Sequence, residues 1–353
     1  MLFKDHKSCN RMNSRNLILS MMMVFVFGAK SQQQTQLTNF MLHQYLYNPA
    51  YAGTFQGMQF NAGYRNQWTG FDGAPKTYMA SGYGTLKKQP QMAVGGLITN
   101  DQMGLLNRTS IYGSYSYHLK LNDKWKIGFG LSVGFVQYNV KAYNAKPYDK
   151  DDNFLASSIL NANAFDANGG FHLYSKKFFF GASGQQLPDG KIYWNNTIGK
   201  LTPIFYLYSG YTFTLDKKKK EYTLQTSILL RFNNPSPFEI EYNMKLAYKS
   251  MLWVGTSFRH AKTNTSLGKK WQNNSFCALL GVTISKQFTM GYSYDIAMSN
   301  IRNYNNGSHE LILTYTLLSK KGVPKDKVQT ADEEELNNID NSMKTNIKSQ
   351  KKK

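Results

Sequence analysis

The sequence has very little cysteine and, beyond its N-terminal region, no long apolar run. Cys9 and Cys277 are the two cysteines among 353 residues. Cys9 falls in a segment that we expect to be removed on export, so a disulfide within the mature chain is excluded. Residues 32–353 contain no stretch of the roughly 20 apolar residues that a membrane-spanning helix requires. Any membrane crossing is therefore expected to be made by strands.

Acidic residues are scarce as well. The chain has 42 Lys and Arg against 21 Asp and Glu, a formal charge of +21, and residues 1–31 carry five of the bases and one of the acids, which leaves +17 without them. The basic residues lie in turns and in the polar phases of strands, and no nucleic-acid motif accompanies them. We expect no nucleic-acid partner, and solvated turns explain the charge best. Anionic lipid headgroups or an acidic partner are the alternative targets.

Motifs that carry catalysis or bind metals are also missing. There is no phosphate loop, no pair of cysteines at metal-ligand spacing, and no spacing that joins Ser and His into a triad. His309 and Glu310 lack the second His of a zinc motif. Asp149, Asp151, Asp152 and Asn153 offer oxygen ligands for calcium, but the EF-hand spacing is absent, so a solvated loop is preferred. We therefore expect no enzyme, no metal and no cofactor, and an outer-membrane hydrolase is the least favoured function.

The N-terminus has the pattern of a secretory signal. Arg11 and Arg15 precede an apolar stretch at residues 17–27, and small residues follow as far as Ser31. We expect cleavage before Gln32, and Met12 is an alternative start that gives the signal its usual length.

Most of the remaining chain alternates apolar with small or polar residues. In residues 238–248 the apolar side chains take one phase, and Glu239, Glu241, Asn243 and Lys245 take the other. A period of two indicates strands, because successive side chains leave opposite faces of a sheet. A soluble sandwich alternates too, but an aromatic content of 14% favours a barrel with aromatic girdles. The sequence predicts an all-β, transmembrane outer-membrane β-barrel of about 14 antiparallel strands.

The strands are predicted at 58–68, 75–86, 92–100, 108–121, 124–140, 163–176, 177–187, 203–215, 221–233, 238–249, 251–260, 275–286, 288–297 and 308–318. Every second connection is short, and long ones are expected at 141–162, 188–202 and 261–274. Such barrels have short periplasmic turns and long outer loops, so both termini are expected in the periplasm. The predicted domains are the signal at 1–31, a lead-in or partial plug at 32–57, the barrel at 58–318 and a disordered periplasmic tail at 319–353.

Two features of the predicted lumen bear on function. Asn48-Pro49 opens a turn, so residues 36–55 are expected below or inside the barrel, as a structured lead-in or, slightly less favoured, as a partial plug or docking strap. The lumen phase is also rich in Gly and Ser, which leaves space unless a plug or partner fills it. Fourteen strands are intermediate between filled and open barrels, so a pore is the alternative function.

Phase and barrel closure together predict a cluster of charges. Arg65 lies in the polar phase of the first strand, Glu310 in that of the last strand, and Asp295 in that of the strand before it. Because closure pairs the first strand with the last, we predict an ionic cluster of these three residues near one rim. Cys277 shares a phase with Ser275 and is predicted to pack in the lumen rather than to act as a catalytic thiol.

Two segments, QYLYNPAYAGTFQGMQFNAGYRNQWTGFDGAPKTY at residues 44–78 and GYSYDIAMSNIRNYNNGSHELILTY at residues 291–315, closely resemble the PorP/SprF family of outer-membrane proteins of the type IX secretion and gliding machinery. They fall at the expected ends of the barrel, in the expected order. The residues matched by position are Asn48, Pro49, Ala50, Gly53, Arg65, Gln67, Trp68, Gly73, Ala74, Pro75, Gly291, Tyr292, Tyr294, Asp295, Ser308, His309 and Glu310.

The resemblance implies a barrel of about fourteen strands without enzymatic activity. Family members are needed for export or surface attachment of type IX cargo, and the founding members act beside periplasmic ring and cell-wall-binding components. The resemblance thus implies an interaction protein of the cell outer membrane, with these components, secreted cargo or an adhesin, and outer-membrane lipid as partners. The tail at 319–353 departs from a minimal family member.

Overall fold

The computed structural model describes residues 37–38, 40–141, 159–188, 191–194, 197–216, 221–233, 238–265, 268–285 and 287–318. The predicted signal, the alternative start at Met12, the acidic loop with Asp149 and the C-terminal tail lie outside these residues. None of the helices in the described part has the length and apolar character needed to cross a membrane.

Fourteen of the sixteen described strands form a closed antiparallel barrel, so the predicted fold class is confirmed. The strands are β1 (Gly57–Asn66), β2 (Lys76–Leu86), β3 (Gln89–Met103), β4 (Leu106–Lys120), β5 (Lys126–Lys141), β6 (Ile159–Tyr174), β7 (Phe178–Gln185), β8 (Lys191–Trp194), β9 (Thr197–Lys200), β10 (Ile204–Thr214), β11 (Tyr222–Asn233), β12 (Phe238–Tyr248), β13 (Leu252–Thr265), β14 (Gly268–Ser285), β15 (Phe288–Ala297) and β16 (Ser308–Leu318).

Closure joins the two ends of the chain's strand order. Each strand of the wall pairs with the next one along the chain, except that β10 pairs with β7, and β16 returns to β1 in a register that places Arg65 opposite Glu310. We call the end that carries the connections at 67–75, 104–105 and 298–307 the loop rim. The opposite end, with the connections at 87–88, 121–125, 175–177 and 249–251, is the turn rim.

The period of two in the sequence becomes the two faces of the wall. Along β12, Glu239, Glu241, Asn243 and Lys245 are buried, whereas their apolar neighbours face outward. Large apolar side chains such as Leu131 remain exposed on the outer face. This is the arrangement of a membrane barrel, where lipid-facing residues are apolar and lumen-facing residues are polar.

The structure differs from the prediction in two of the long connections. Residues 188–202 contain the two-stranded hairpin β8–β9, which is separate from the barrel sheet. The expected loop at 261–274 is mostly strand, because β13 continues to Thr265 and β14 begins at Gly268. The stretch at 261–274 is mostly polar, so it lacks the alternation from which strands are recognised.

Between the start of the described residues and β1, the chain makes two short 3-10 turns, Gln44–Leu46 and Pro49–Tyr51. We call residues 37–38 and 40–55 the inner segment. Its side chains are almost fully buried, with Phe40, Ala50 and Ala52 at 0% exposure.

Candidate functional site

The inner segment begins at the seam between β1 and β16. The backbone N–H of Thr38 donates to Glu310 at 2.8 Å, and its hydroxyl group donates to Asp295 at 3.3 Å and accepts from Arg65. Arg65 in turn contacts Glu310 and Asp295, each at 3.0 Å, with 2% of its side chain exposed. Both ion pairs predicted from the sequence are present, and they hold the start of the inner segment.

The middle of the segment is bound through Asn48. Its side-chain N–H groups donate to the carbonyl oxygens of Phe171 at 2.9 Å and Ala182 at 3.3 Å and to the hydroxyl group of Tyr208 at 3.0 Å. Its oxygen accepts from the backbone N–H of Ala50, which caps the second 3-10 turn. One side chain therefore joins the segment to β6, β7 and β10.

The end of the segment is held at the carbonyl oxygen of Ala52. His118 of β4 donates to this oxygen from Nε2 at 2.6 Å, and Ser116 donates to it as well. The other ring nitrogen of His118 accepts from the hydroxyl group of Tyr174 of β6 at 2.9 Å. This pairing fixes the tautomer and orientation of the imidazole ring.

Other wall residues complete the contacts. His43 is bonded to Ser81 of β2 at 2.8 Å, and burial lowers the pKa of His43 to about 4. Ser183 of β7 donates to the carbonyl oxygen of Tyr47 at 2.7 Å, and Gln185 donates to that of Leu46 at 2.8 Å. The segment is thus bonded to strands on several sides of the barrel.

Close approach to the wall requires glycine at Gly130 of β5. A Cβ atom at this position would lie 2.3 Å from the backbone nitrogen of Ala50 and 2.5 Å from the carbonyl carbon of Pro49. Glycine is used where another backbone approaches this closely. The space that small residues leave in the lumen phase is filled here by the inner segment.

Sequence reasoning did not find the partner that extends the seam cluster. Arg259 of β13 contacts Asp295 at 3.3 Å and Glu241 of β12 at 3.0 Å. Ser257 also donates to Glu241, at 3.0 Å. The buried charges therefore form one network from β1 to β12, in which carboxylates and guanidinium groups alternate. Pairing of this kind offsets the high desolvation cost of each buried ion.

At the loop rim, the connection at 67–75 is fixed on both sides. Trp68 and Thr69 donate their backbone N–H groups to Ser308 and to the carbonyl oxygen of Gly307, at 3.1 and 2.8 Å. On the other side the N–H of Gly104 donates to the carbonyl oxygen of Gly73 at 3.0 Å. Trp68 has φ +52°, a left-handed conformation that is uncommon outside glycine.

The other residues singled out from the sequence lie in the inner segment, on the two faces of the wall and at the loop rim. Asn48, Pro49, Arg65, Asp295, Ser308 and Glu310 are buried, and Gln67 donates its N–H to the carbonyl oxygen of Pro75 at 2.9 Å. Tyr292 and Tyr294 lie on the outer face beside His309, whose Nδ1 is bonded to the Tyr292 hydroxyl group at 2.6 Å. Cys277 is buried and packs against Trp253 and Leu279, as predicted. The structure thus brings together the seam residues but not all of the set.

Within the described ranges, no group of three or more His, Cys, Asp or Glu side chains is arranged to hold a metal ion. The arrangement instead offers buried hydrogen bonds and ion pairs between a short segment and a barrel wall.

No curated protein matches the chain. Among solved structures, the toluene transporter TbuX of Ralstonia pickettii is similar, with 12% identity, a TM-score of 0.45, and 77% of this chain and 92% of that chain covered. The Pseudomonas putida toluene transporter TodX has 7% identity, a TM-score of 0.47, and coverages of 78% and 93%. A Pseudomonas aeruginosa FadL homologue has 10% identity and a TM-score of 0.44, and the match covers 76% of this chain and 92% of that chain. These likenesses are too distant to bear on transport.

The sequence itself gives a more specific result. Residues 29–315 match the family described as type IX secretion system membrane protein PorP/SprF, which takes in the inner segment and nearly the whole barrel. The chain therefore belongs to the PorP/SprF family of type IX secretion system membrane proteins.

Proposed function

We propose that this protein is a closed, non-enzymatic barrel of the outer membrane that supports export or surface attachment of type IX cargo through protein–protein contacts. Its partners in this proposal are periplasmic ring or cell-wall-binding components and a secreted cargo protein or adhesin. The single observation that carries the proposal beyond family membership is the inner segment, which occupies the lumen that a pore would need to keep open.

The contacts of the segment support a plug rather than a passing connection. Its bonds reach Glu310 on β16, Ser81 on β2, His118 on β4 and Ala182 on β7. A peptide bound on one side of the lumen would leave a channel on the other, but contacts to several sides reduce it. The protein is therefore proposed to act by holding partners and not by passing solutes.

We also propose that the turn rim faces the periplasm and the loop rim faces the cell exterior. Support comes from the short connections at the turn rim, since barrels of this class have short periplasmic turns. Leu318 pairs with Gly57 at the turn rim, so both ends of the barrel chain would then face the periplasm. A periplasmic partner would be reached from this side.

The test is a mild-detergent pull-down of a C-terminally tagged copy from its native outer membrane, followed by mass spectrometry. Recovery of type IX ring components or of a large secreted adhesin is the expected result. An untagged strain and a tagged, unrelated outer-membrane barrel are the controls. A barrel that is recovered alone, and that conducts ions steadily in planar bilayers, would replace the proposal with the alternative of a small-molecule pore.

A further inference from the structure

Large apolar side chains are exposed in three neighbouring connections of the loop rim. Phe71 is 53% exposed, Tyr304 is 73% exposed, and Leu105 in the third connection is also exposed. On the wall, contact with lipid explains exposed apolar side chains. In a connection that lies outside the hydrocarbon layer, such side chains need a different explanation.

The outer face of β1 and β2 shows where the hydrocarbon layer ends. The paired residues Tyr64 and Tyr78 are exposed there, with 5.0 Å between their ring centroids. Tyrosine is enriched where the membrane meets water, because its ring is apolar and its hydroxyl group is polar. The next outward pair, Asn66 and Lys76, is polar and ends both strands. The connection at 67–75 begins after this pair, so lipid does not explain its exposed side chains.

Hydrogen bonds join this connection to the two connections beside it. Thr69 donates its backbone N–H to the carbonyl oxygen of Gly307 and accepts from the N–H of Asn306, both at 2.8 Å. The hydroxyl group of Thr69 also donates to the carbonyl oxygen of Gly307, at 3.0 Å. On the other side, the N–H of Gly104 donates to the carbonyl oxygen of Gly73 at 3.0 Å. We call residues 67–75, 104–105 and 298–307 the rim platform.

These bonds limit the distance between the two aromatic side chains. Phe71 lies two residues from Thr69, and Tyr304 lies two residues from Asn306, which is bonded to Thr69. Two residues span at most about 7 Å and bonded backbones lie about 5 Å apart, so the two aromatic residues have Cα atoms within roughly 20 Å. A standard interface covers about 800 Å² on each partner, a patch roughly 30 Å across. One partner can therefore contact both rings.

We propose that the rim platform is the surface on which the secreted cargo protein or adhesin is held, with Phe71 and Tyr304 as its anchor side chains. This inference rests on the proposed function and on the orientation that places the loop rim outside the cell. Aromatic anchors on a surface that is already ordered contribute most to binding in protein interfaces.

The chemistry of the platform defines the partner that fits it. The partner presents apolar pockets for the two rings. Around them it presents polar groups, because the cavity of about 470 Å³ beside Phe71 is lined by polar side chains that include Asn66, Asp72 and Lys76. This is the usual anatomy of a protein interface, with an apolar centre and a polar rim.

The experiment is the pull-down of the tagged, full-length protein from its native outer membrane, repeated with Phe71→Ala and with Tyr304→Ala. Each variant should recover the secreted partner at about one tenth of the wild-type amount, and periplasmic components at the wild-type amount. Phe165→Ala is the matched control, because Phe165 is 50% exposed on the lipid face of β6, and it should recover both. Heat-dependent gel mobility of each variant shows that the barrel is folded, since all three side chains are exposed.

A second measurement tests the platform on intact cells. Cys277 is the one cysteine of residues 32–353 and is buried, so the unaltered protein gives little background with a thiol reagent. Tyr304→Cys should react with a membrane-impermeant maleimide, and about tenfold more slowly when the secreted partner is present than in a strain that does not export it. Lys88→Cys, which changes an exposed residue at the turn rim, should react only after the cells are opened.

The outcomes separate failure of this inference from failure of the proposed function. If the wild type recovers a secreted partner and both alanine variants recover as much of it, the rim platform is not the docking surface, although the proposed function stands. If the variants lose a second copy of this chain and no secreted protein, the platform is an interface between barrels and the inference is overturned. A wild type that recovers no secreted protein overturns the proposed function and this inference together. Labelling of Lys88→Cys but not of Tyr304→Cys on intact cells would reverse the orientation and overturn the inference as well.

Discussion

Displacing the inner segment by one small substitution in the wall is the most direct perturbation of this protein. Gly130→Ala adds one methyl group whose carbon would lie 2.3 Å from the backbone nitrogen of Ala50. Non-bonded heavy atoms normally approach to about 3.5 Å, so the segment has to move by roughly 1 Å. Such overpacking costs about 1–3 kcal/mol. Because the three atoms nearest to the added methyl group all belong to Pro49 and Ala50, this cost disfavours the closed position of the segment.

The expected size of the effect follows from that energy. A change of about 1–3 kcal/mol corresponds to about 5- to 150-fold in the ratio of closed to displaced segment. Single-channel recording in planar bilayers measures this ratio as the fraction of time spent in conducting states. The wild type should be closed for nearly all of the recording, and Gly130→Ala should open more often by a factor in this range.

Gly113→Ala is the matched control. Gly113 also lies inside a strand, β4, and a Cβ atom there would meet nothing within 4 Å. Both variants exchange glycine for alanine in the wall, so general effects on strand stability are shared. If the two variants conduct alike, the inner segment does not govern closure and the plug is refuted.

Three further predictions concern the same segment. Arg65→Ala leaves the buried carboxylates of Asp295 and Glu310 without one of their cations, which costs on the order of 3–5 kcal/mol. Its heat-resistant gel mobility should therefore be lost at a lower temperature than that of the control Lys262→Ala, which changes a basic residue stacked over Trp271. Asn48→Ala removes donors to three strands, which should weaken the closed state by about 1–3 kcal/mol. The conductance of this variant should rise, while its gel mobility still shows a folded barrel. Burial lowers the pKa of His43 to about 4 from 6.5, so the closed state favours the neutral ring and weakens as pH falls through this range; His43→Gln should show a smaller rise in conductance between pH 6.5 and 4.

The wall was predictable because a membrane barrel constrains every strand in the same way. For β12 the prediction of 238–249 compares with the observed Phe238–Tyr248, and for β16 the two agree. Lipid on one side and a polar interior on the other impose the period of two. Beyond residue 260, β13 extends past this environment and the period of two disappears, so this part of the strand was not predicted.

The seam was predictable for a second reason. β1 pairs with β2 on one side, so closure of the barrel leaves β16 as its partner on the other. The phases of Arg65 and Glu310 were then enough to predict that the two side chains meet. The link from Asp295 to Arg259 was not predictable in this way, because β14 lies between their strands. Ser275 and Cys277 occupy the lumen face of β14 between them. Their short side chains leave the room in which two longer ones meet, and this depends on wall curvature that pairing alone does not give.

The inner segment shows where sequence reasoning stops. Some of its bonds to the wall are made through its own carbonyl oxygens, those of Leu46, Tyr47 and Ala52. A carbonyl oxygen is the same in every residue, so the sequence of the segment does not encode the partners of these three groups. The wall encodes them instead, through lumen-facing donors such as His118 and through glycine at Gly130. The segment is therefore recognised partly by its backbone and by the space left for it, and partly by the side chains of Thr38, His43 and Asn48. Substitutions in the wall, such as Gly130→Ala, are therefore expected to open the lumen as effectively as substitutions of bonded side chains in the segment itself, such as Asn48→Ala.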